Sequence, residues 1–461
     1  MKLIIIGAGE TGFYIASEFS EGNFEVTLID QKPHRLRYIR RSLNVAGILG
    51  NGTSPSILEK AGIDRADLII ACTDHDETNL ICCLLASYYE VKYKIAVTRT
   101  SSFLRKKIVS KFLQSGVSQI INSSLVTAQE IIETASLASA TEVFAFGEKN
   151  VLLAGYKVKR DSPWNGIALK NIRRHSDQNQ FLIASIVREG GSFIPDGNSR
   201  IREGDYVYIL TPRKIADALN DILNEKIYLN RRAIVAGETQ VADRVATGLL
   251  KSHYSVTMIC RDELTLAKMK RRFSSKRMFN GVLGDSEVVK LQLQLDVPMA
   301  SLFIAASDDD HRNIASSVVA HYLGAKKTIC MINRQDLIGP AERAGIDVVI
   351  SPRLSTARLV KKVIRGGEHA LNYTTISETN MEVMELVAGE GSPILGQPLM
   401  EVGLPSSTLI GALLKENGKV IIPRGDTVLE PGDKVITVTV PESVPKLKEL
   451  LEGEKNMENG I

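Results

Sequence analysis

Lys2-Leu3-Ile4-Ile5-Ile6-Gly7-Ala8-Gly9-Glu10-Thr11-Gly12 stands at the head of the chain. An apolar run broken by glycines and followed by Phe13, Ile15, Ala16 and Phe19 predicts a buried strand, a tight turn and a helix. The glycines complete GxGxxG, and each answers a separate steric demand. Gly7 makes the turn, Gly9 lets backbone approach a pyrophosphate, and Gly12 lets the helix pack on the strand, while the helix N-terminus turns its N–H groups toward an anion. A second strand, Val26-Thr27-Leu28-Ile29, ends in Asp30, 18 positions past Gly12. A carboxylate there accepts hydrogen bonds from ribose hydroxyls and repels a 2′-phosphate. The reading is a nucleotide site that favours NAD(H), ATP or ADP over NADP(H), without separating dinucleotide from adenine mononucleotide.

Two further loops belong to the same edge. The run Leu68–Ala71 ends in Thr73-Asp74 and the run Ile95–Val97 in Thr98-Arg99, both at the carboxyl ends of parallel strands, where ligands of such sheets sit. Either loop contacts the ligand or its acids, Asp74 or Asp76, cap the following helix. Lys32 and Arg35 are read as long cations on a solvated helix start, with contact to phosphate or base as the alternative.

The chain repeats itself. Lys2–Gly7 matches Arg232–Gly237, and Val26–Asp30 matches Val256–Cys260, both at an offset of 230. Gly47-Ile48-Leu49-Gly50-Asn51-Gly52 matches Gly281-Val282-Leu283-Gly284-Asp285-Ser286, and Ala71-Cys72-Thr73-Asp74 matches Ala305-Ala306-Ser307-Asp308, with Asn79 falling on Asn313. Later, Ile194-Pro195-Asp196-Gly197 aligns with Ile422-Pro423-Arg424-Gly425 and Glu203-Gly204-Asp205 with Pro431-Gly432-Asp433. A unit of about 230 residues is far too long for a solenoid repeat, so each half holds more than one domain.

Within each half the pattern changes. Short apolar runs alternating with helix-period segments predict βαβ units over residues 1–125 and 230–350. Strand-like runs at Val151–Val158, Phe181–Arg188 and Tyr206–Thr211, broken by turn residues, predict small α+β modules over 138–226 and 370–453, the first closed by a short helix at Pro212–Asn224. A helix over 126–139 is expected to connect the first pair. The fold class is therefore α/β, two Rossmann-like parallel-sheet domains each followed by a small α+β domain.

The second fingerprint is decayed. It reads Gly237-Glu238-Thr239-Gln240-Val241-Ala242, with Cys260 where Asp30 stands in the first. Thr239 brings a Cβ where backbone must meet phosphate, and a thiol cannot replace a carboxylate at the ribose, so this site is expected to be lost or altered. Asp308-Asp309-Asp310-His311 reads as a helix cap, with a metal site as the alternative.

Composition narrows the class. The 461 residues are 44% hydrophobic and 24% charged, a globular balance, and 57 basic against 53 acidic residues leave a net charge of +4, without the basic excess of a nucleic-acid binder. No stretch approaches the roughly 20 apolar residues of a bilayer crossing, and no basic leader precedes the first strand, so a non-secreted, non-spanning protein is expected. Cys72, Cys82, Cys83, Cys260 and Cys330 lie in or beside apolar runs without CxxC spacing, which predicts core packing in a reducing compartment.

The GAGETG strand-turn-helix, Asp30, Gly50-Asn51-Gly52, Ala71-Cys72-Thr73-Asp74-His75-Asp76-Glu77-Thr78-Asn79 and Ile350-Ser351-Pro352-Arg353-Leu354 together resemble the Trk potassium-uptake regulatory subunits, as does the tandem order of RCK N-terminal and C-terminal domains. The resemblance covers nearly the whole chain. It implies a cytoplasmic protein, peripheral on the inner face of the cell membrane, that forms a dimer or tetrameric ring, joins a TrkH- or TrkG-type potassium-translocating subunit and responds to NAD(H), ATP or ADP. It makes Gly7, Ala8, Gly9, Glu10, Thr11 and Gly12 the phosphate loop and Asp30 the ribose acceptor, with Thr73, Asp74, Thr98 and Arg99 completing the pocket. It implies neither a catalytic residue nor a metal. The alternative is an NAD-dependent oxidoreductase, which needs a proton donor or acceptor near the nicotinamide. None of the seven histidines sits in a motif with a paired acid, and His175 and His369 read as surface residues. The reading is therefore a regulator and not an enzyme. A nucleotide-blind RCK scaffold is a third possibility.

Overall fold

Leu3, Ile4, Ile5 and Ile6 are almost wholly shielded from solvent, which requires a strand covered on both faces. In the computed structural model they form β1 (Lys2–Ile6), inside a six-stranded parallel sheet. The structure describes residues 1–20, 24–137, 139–175, 181–216, 230–366, 372–376 and 379–453. The sheet is completed by β2 (Glu25–Asp30), β3 (Ala46–Leu49), β4 (Leu68–Ala71), β5 (Tyr93–Thr98) and β6 (Gln119–Asn122), in the order β3-β2-β1-β4-β5-β6. Helices α1 (Glu10–Ser20), α2 (Pro33–Ser42), α3 (Pro55–Lys60), α4 (Asp76–Tyr88), α5 (Lys106–Gln114) and α6 (Ser123–Ala135) alternate with the strands. The strand order reverses between β1 and β4, so the crevice that such sheets use for ligands opens beside the turn after β1.

The expected strands are present. Three additions in the first half escaped the periodicity, the three-residue strand Gly191–Phe193 among them. β3 is a four-residue edge strand with no buried side chain, and β7 (Glu142–Phe146) is only half buried in its middle. β7 joins β8 (Val151–Lys157), β9 (Leu182–Arg188), β10 (Gly191–Phe193) and β11 (Tyr206–Pro212) in an antiparallel sheet of order β10-β9-β11-β8-β7, with α7 (Leu169–His175) between β8 and β9. The connecting helix is α6. The helix expected at Pro212–Asn224 is displaced at its start, because β11 runs through Pro212 and a 3-10 turn covers Arg213–Ile215. Residues 217–224 lie outside the described residues, as do His369 and the side chain of His175.

The second half repeats this order. Strands β12 (Arg232–Ala236), β13 (Ser255–Cys260), β14 (Phe279–Leu283), β15 (Leu302–Ala305), β16 (Thr328–Met331) and β17 (Val348–Ile350) give β14-β13-β12-β15-β16-β17. They alternate with α8 (Gln240–Lys251), α9 (Glu263–Arg272), α10 (Val289–Gln294), α11 (Asp310–Leu323), α12 (Ile338–Arg343) and α13 (Pro352–Gly366). The last sheet, β18 (Asn372–Thr375), β19 (Glu382–Val387), β20 (Leu409–Leu414), β21 (Val420–Ile421) and β22 (Lys434–Thr439), is ordered β18-β19-β22-β20-β21 and followed by α14 (Val444–Glu452). This is the first small sheet read backwards, strand for strand.

Like pairs with like. Met1–Ile131 and Arg232–Lys361, which hold the two Rossmann-like domains, form one compact unit, and Ile132–Arg231 with Lys362–Ile461 form another. In the second unit Phe146, Leu153 and Leu210 from one small sheet share a core with Met381, Val383 and Ile436 from the other. The peptide N–H of Gly147 donates across to the buried Glu385 carboxylate at 2.9 Å. The repeated Gly-Asp turn has its own physical cause. Asp205 takes two hydrogen bonds from Arg188, at 2.8 and 2.7 Å, and Asp433 takes one from Lys415 at 2.7 Å. Each buried carboxylate thus ties its turn to the partner hairpin with a charge-assisted bond.

All five cysteines are free and buried, as expected of core packing. Among the described residues no helix is long and apolar enough to cross a membrane. Ile436 is wholly buried where the two small sheets meet. Truncating it in Ile436→Ala is expected to cost about 2–5 kcal/mol, read as a fall in the thermal midpoint. An unchanged midpoint would show that this shared core does not hold the unit together.

Candidate functional site

The turn after β1 is built by what its glycines lack. Gly7 sits at φ +105° and its N–H donates to the carbonyl of Ile29 at 2.8 Å, which fixes the turn to the end of β2. A Cβ on Gly12 would lie 1.9 Å from the carbonyl oxygen of Gly7, so only glycine lets α1 seat on the turn. Gly9 is different. The sole group within 4 Å of a Cβ built there is the Arg35 guanidinium at 3.6 Å, so its surface is open to a ligand. The first-turn N–H groups of α1 have no intrahelical acceptor and carry the positive end of the helix dipole.

Asp30 closes the loop from the side. It is largely buried, and its Oδ2 accepts from the Ala8 N–H at 2.7 Å while Oδ1 accepts from the Lys32 N–H at 2.7 Å. Arg35 stands 3.7 Å from Asp30 and 3.9 Å from Asp74, and Arg99 donates to Asp74 at 2.7 Å. Alternating charges therefore run Asp30, Arg35, Asp74, Arg99 along the carboxyl edge. The solvated reading of Arg35 is corrected: its side chain is 31% exposed and lies beside Gly9. The signal available in sequence was its position in the first turn of α2, just past Asp30. Lys32 stays exposed, and only its backbone N–H serves the site.

Beneath the edge, Asn79 organises two strand ends. The N–H and hydroxyl of Thr73 donate to its Oδ1 at 2.9 and 2.6 Å, and its amide donates to the carbonyls of Thr73 and Val97 at 3.1 and 2.8 Å. Asp76 accepts from the N–H groups of Arg99 and Thr100 at 2.9 and 2.8 Å. The capping alternative for Asp74 and Asp76 thus fails: His75 is the N-cap residue and makes no side-chain cap bond, and both acids are committed across the edge. Thr98 is fully buried, within 3.4 Å of the Asn122 amide, and sits below the pocket and not in it. Burial, reinforced by Asp74 and Asp30, pushes the thiol of Cys72 under the loop up to about 12, so it stays protonated.

The second copy keeps the scaffold and rebuilds the loop. Asn313 binds Ser307 and the Met331 carbonyl as Asn79 binds Thr73 and Val97. Asp310 accepts from the N–H groups of Asn333 and Arg334, both at 2.9 Å, and Asp309 caps α11 through the Arg312 N–H at 3.1 Å. The adjacent acids are held to separate structural tasks, as the cap reading has it. In the turn itself, the Thr239 hydroxyl accepts from the Ala242 N–H at 3.1 Å and donates to the Ala306 carbonyl at 2.6 Å. The side chain thus takes a helix-start amide that a ligand would need. Glu238 accepts from the Arg261 N–H, so the carboxylate reaches outward from the loop where Asp30 reaches inward to it. Cys260 is buried and its thiol is pushed up to about 11, by burial first and then by Glu238 and Asp262.

The carboxyl edges of the two Rossmann-like domains open on one cavity of about 860 Å³ inside their unit. Thr11, Thr73 and Arg99 line it from the first half and Thr239, Arg334 and Arg353 from the second. Arg353 pairs with the Glu10 carboxylate at the start of α1, and farther along the same helices Lys361 pairs with Glu18 at 2.5 Å.

The TrkA-N domain model matches residues 3–123 and 233–352, and the TrkA-C domain model residues 153–224 and 383–452. The chain belongs to the TrkA family. This TrkA-family chain is 27% identical to the Trk system potassium uptake protein TrkA of Azorhizobium caulinodans over 98% of both chains. It is 28% identical to that of Haemophilus influenzae over 98% of this chain and 99% of the other. An Archaeoglobus fulgidus homolog is 27% identical over 98% of this chain and all of the other. Among solved structures, the GsuK RCK domain superposes with a TM-score of 0.61 at 16% identity, over 98% of this chain and 94% of that one. The GsuK channel bound to NAD gives 0.60 at 16% identity, over 98% and 78%. These two likenesses bear on the fold, tandem Rossmann-like and small antiparallel domains.

Within this TrkA-family fold Asn79 is the residue on which the edge loops hang. Asn79→Ala orphans buried partners on both strand ends and is expected to lower stability by roughly 2–4 kcal/mol, while Asn79→Asp, which keeps the acceptor and loses the donor, falls between. Equal urea midpoints for parent and Asn79→Ala would refute this role.

Proposed function

We propose that this chain is a nucleotide-responsive regulatory subunit that gates a Trk-type potassium uptake system. One observation carries the nucleotide part: of two copies of the same turn, one leaves Gly9 open beside Asp30, and the other closes itself with Thr239. The first-turn amides of α1 would hold phosphate. The carboxylate of Asp30, with lone pairs beyond those taken by Ala8 and Lys32, would accept from a ribose hydroxyl and disfavour a 2′-phosphate. Thr73, Asp74 and Arg99 complete the proposed pocket, with Arg35 added and Thr98 beneath it. The ligand class is NAD(H), ATP or ADP, in keeping with the NAD-bound GsuK channel that shares the fold.

The gating part rests on the relatives, which are named as potassium uptake proteins. The membrane partner would be a TrkH- or TrkG-type subunit, with the chain acting as a peripheral dimer or ring on its cytoplasmic side. A ligand that binds one arrangement of the two Rossmann-like domains about tenfold more tightly than another shifts their populations tenfold, roughly 1.4 kcal/mol. A few phosphate and ribose contacts at one edge of a cavity lined by both halves supply a difference of that size.

Asp30→Ala and Gly9→Val are expected to abolish binding of NADH and ATP in titration calorimetry while both variants keep the far-UV circular dichroism of the folded parent; Asp30→Ala also lowers the thermal midpoint, because it orphans the buried Ala8 N–H. Parent-like binding by both variants would overturn the pocket. Reconstituted with a Trk-type membrane subunit, the parent is expected to change potassium flux when nucleotide is added, and the two variants are not. Hydride turnover with alcohols, aldehydes or hydroxy acids is expected to stay at background, and measurable NADH production would replace the regulator with an oxidoreductase.

A further inference from the structure

Buried features that the repeat keeps serve the sheets, but one feature that it keeps lies on the surface. Helix α2 buries Leu36 and Ile39, and α9 buries Leu266 at the position of Leu36. Their outward stripes, at the helical spacing of three and four, are His34, Arg37, Tyr38 and Arg41 on α2 and Leu264, Ala267, Lys268 and Arg271 on α9. All of these residues are exposed. The two sets stand at the offset of 230, yet only the last position, arginine in both, holds the same residue. What survives is a composition. Each stripe has two fixed cations, one large aromatic or apolar side chain and no acid.

Neither packing nor pairing accounts for these stripes. Among the described residues the side chains of Arg37, Arg41, Lys268 and Arg271 make no hydrogen bond or ion pair, whereas Arg40 bonds the Gly47 carbonyl and Arg272 pairs with Asp243. The helix dipole favours a cation in the last turn, which explains Arg41 and Arg271 but not Arg37. Nor does it explain Tyr38, 63% exposed, or Leu264, 72% exposed, each set among the charges. The Phe13 ring, 5.5 Å away, steadies Tyr38 without covering it. The second half adds to its stripe by insertion. The offset grows from 230 at β13 to 234 at β14, so 234 − 230 = 4 extra residues lie between α9 and β14. That connection brings Lys276, Arg277 and Met278, all exposed, and again no acid.

We propose that the α2 and α9 stripes are contacts for the headgroups of anionic lipids. A fluid anionic surface asks for positive charge with an amphipathic ring or apolar tip, and not for particular residues. The two copies have diverged within that rule. Nucleic acid would draw the same cations; the bilayer is preferred because the proposed function sets the chain beside a membrane subunit, and to this extent the inference rests on that reading. It adds a direct hold on the bilayer, separate from the pore partner and from nucleotide.

Sedimentation of the full-length chain with vesicles tests this without a membrane subunit. The parent is expected to bind vesicles of phosphatidylcholine mixed with phosphatidylglycerol, to come off as salt is raised, and to ignore vesicles of phosphatidylcholine alone. Binding should weaken about fivefold for each cation removed, so roughly twentyfold for Arg37→Gln combined with Arg41→Gln, and as much for Lys268→Gln combined with Arg271→Gln. Arg37→Lys combined with Arg41→Lys should bind like the parent, because headgroups read charge. Lys106→Gln combined with Lys107→Gln takes the same charge from α5, whose counterpart α12 holds one cation, Arg343, and is expected to change binding little. Equal losses from the α5 pair and the α2 pair would reduce the effect to bulk charge and overturn the inference. So would parent-like binding by both stripe variants, equal binding to neutral vesicles, or a preference for duplex DNA over anionic vesicles. Binding seen only when a Trk-type subunit is reconstituted in the vesicles would overturn the lipid contact and leave the proposed function standing. Anionic-vesicle binding by a chain that never alters potassium flux would do the reverse.

Discussion

The helix that begins at Glu10 rests on the turn at Gly7 with no room for a methyl group between them. That approach sets where the free amides of α1 point, and it also fixes the distance from the loop to the end of β2, where the Asp30 carboxylate bonds the Ala8 N–H. In the second half Ala242 takes the place of Gly12, and the turn is held by a threonine hydroxyl. Three substitutions, Thr239 for Gly9, Ala242 for Gly12 and Cys260 for Asp30, separate an open turn from a self-satisfied one. The sheet underneath is indifferent to the change, since both copies keep the same strand order.

The two halves also show which features the fold keeps in both copies and which it keeps in one. The asparagine clasps of Asn79 and Asn313 match bond for bond, and the carboxylates of Asp76 and Asp310 hold the next loop by the same two backbone N–H groups, Asp310 adding a bond from the Asn333 side chain. A buried amide with all its partners satisfied is costly to lose whether or not a ligand is present. The open Gly9 and Asp30 occur in the first half only, and the Glu10–Arg353 pair that joins the halves has no counterpart at the equivalent Gln240 and Ser124. What the repeat retains is scaffold, and what it discards is specific to the pocket.

Much of this was legible in the chain. GxGxxG after a buried run announced the turn, and the offset repeats announced two Rossmann-like sheets, because apolar periodicity and glycine spacing are local properties. The edge strand β3 was not legible, since half-exposed strands carry no alternation, and Arg35 looked like any cation opening a helix. Thr98 was misplaced because the last residue of a strand points either into the crevice or under it, and one residue of register decides which. Arg353 lies more than 340 positions from Glu10 in sequence, so no local pattern joins them. Nor does the linear order of domains reveal that like pairs with like.

That last arrangement bears on how the chain is made. The unit containing the open loop draws on Met1–Ile131 and Arg232–Lys361, and its companion on the segments that follow each. Neither unit is contiguous, so a chain emerging from the ribosome cannot complete the first until residue 361 of 461 has left the exit tunnel. Until then the first Rossmann-like domain waits with its mating surface bare. Contacts so distant in sequence form slowly, and apolar surface kept waiting is prone to wrong partners. Interleaving thus ties the cavity to near-complete synthesis: a truncated chain lacking its last third has the fingerprint but not the cavity.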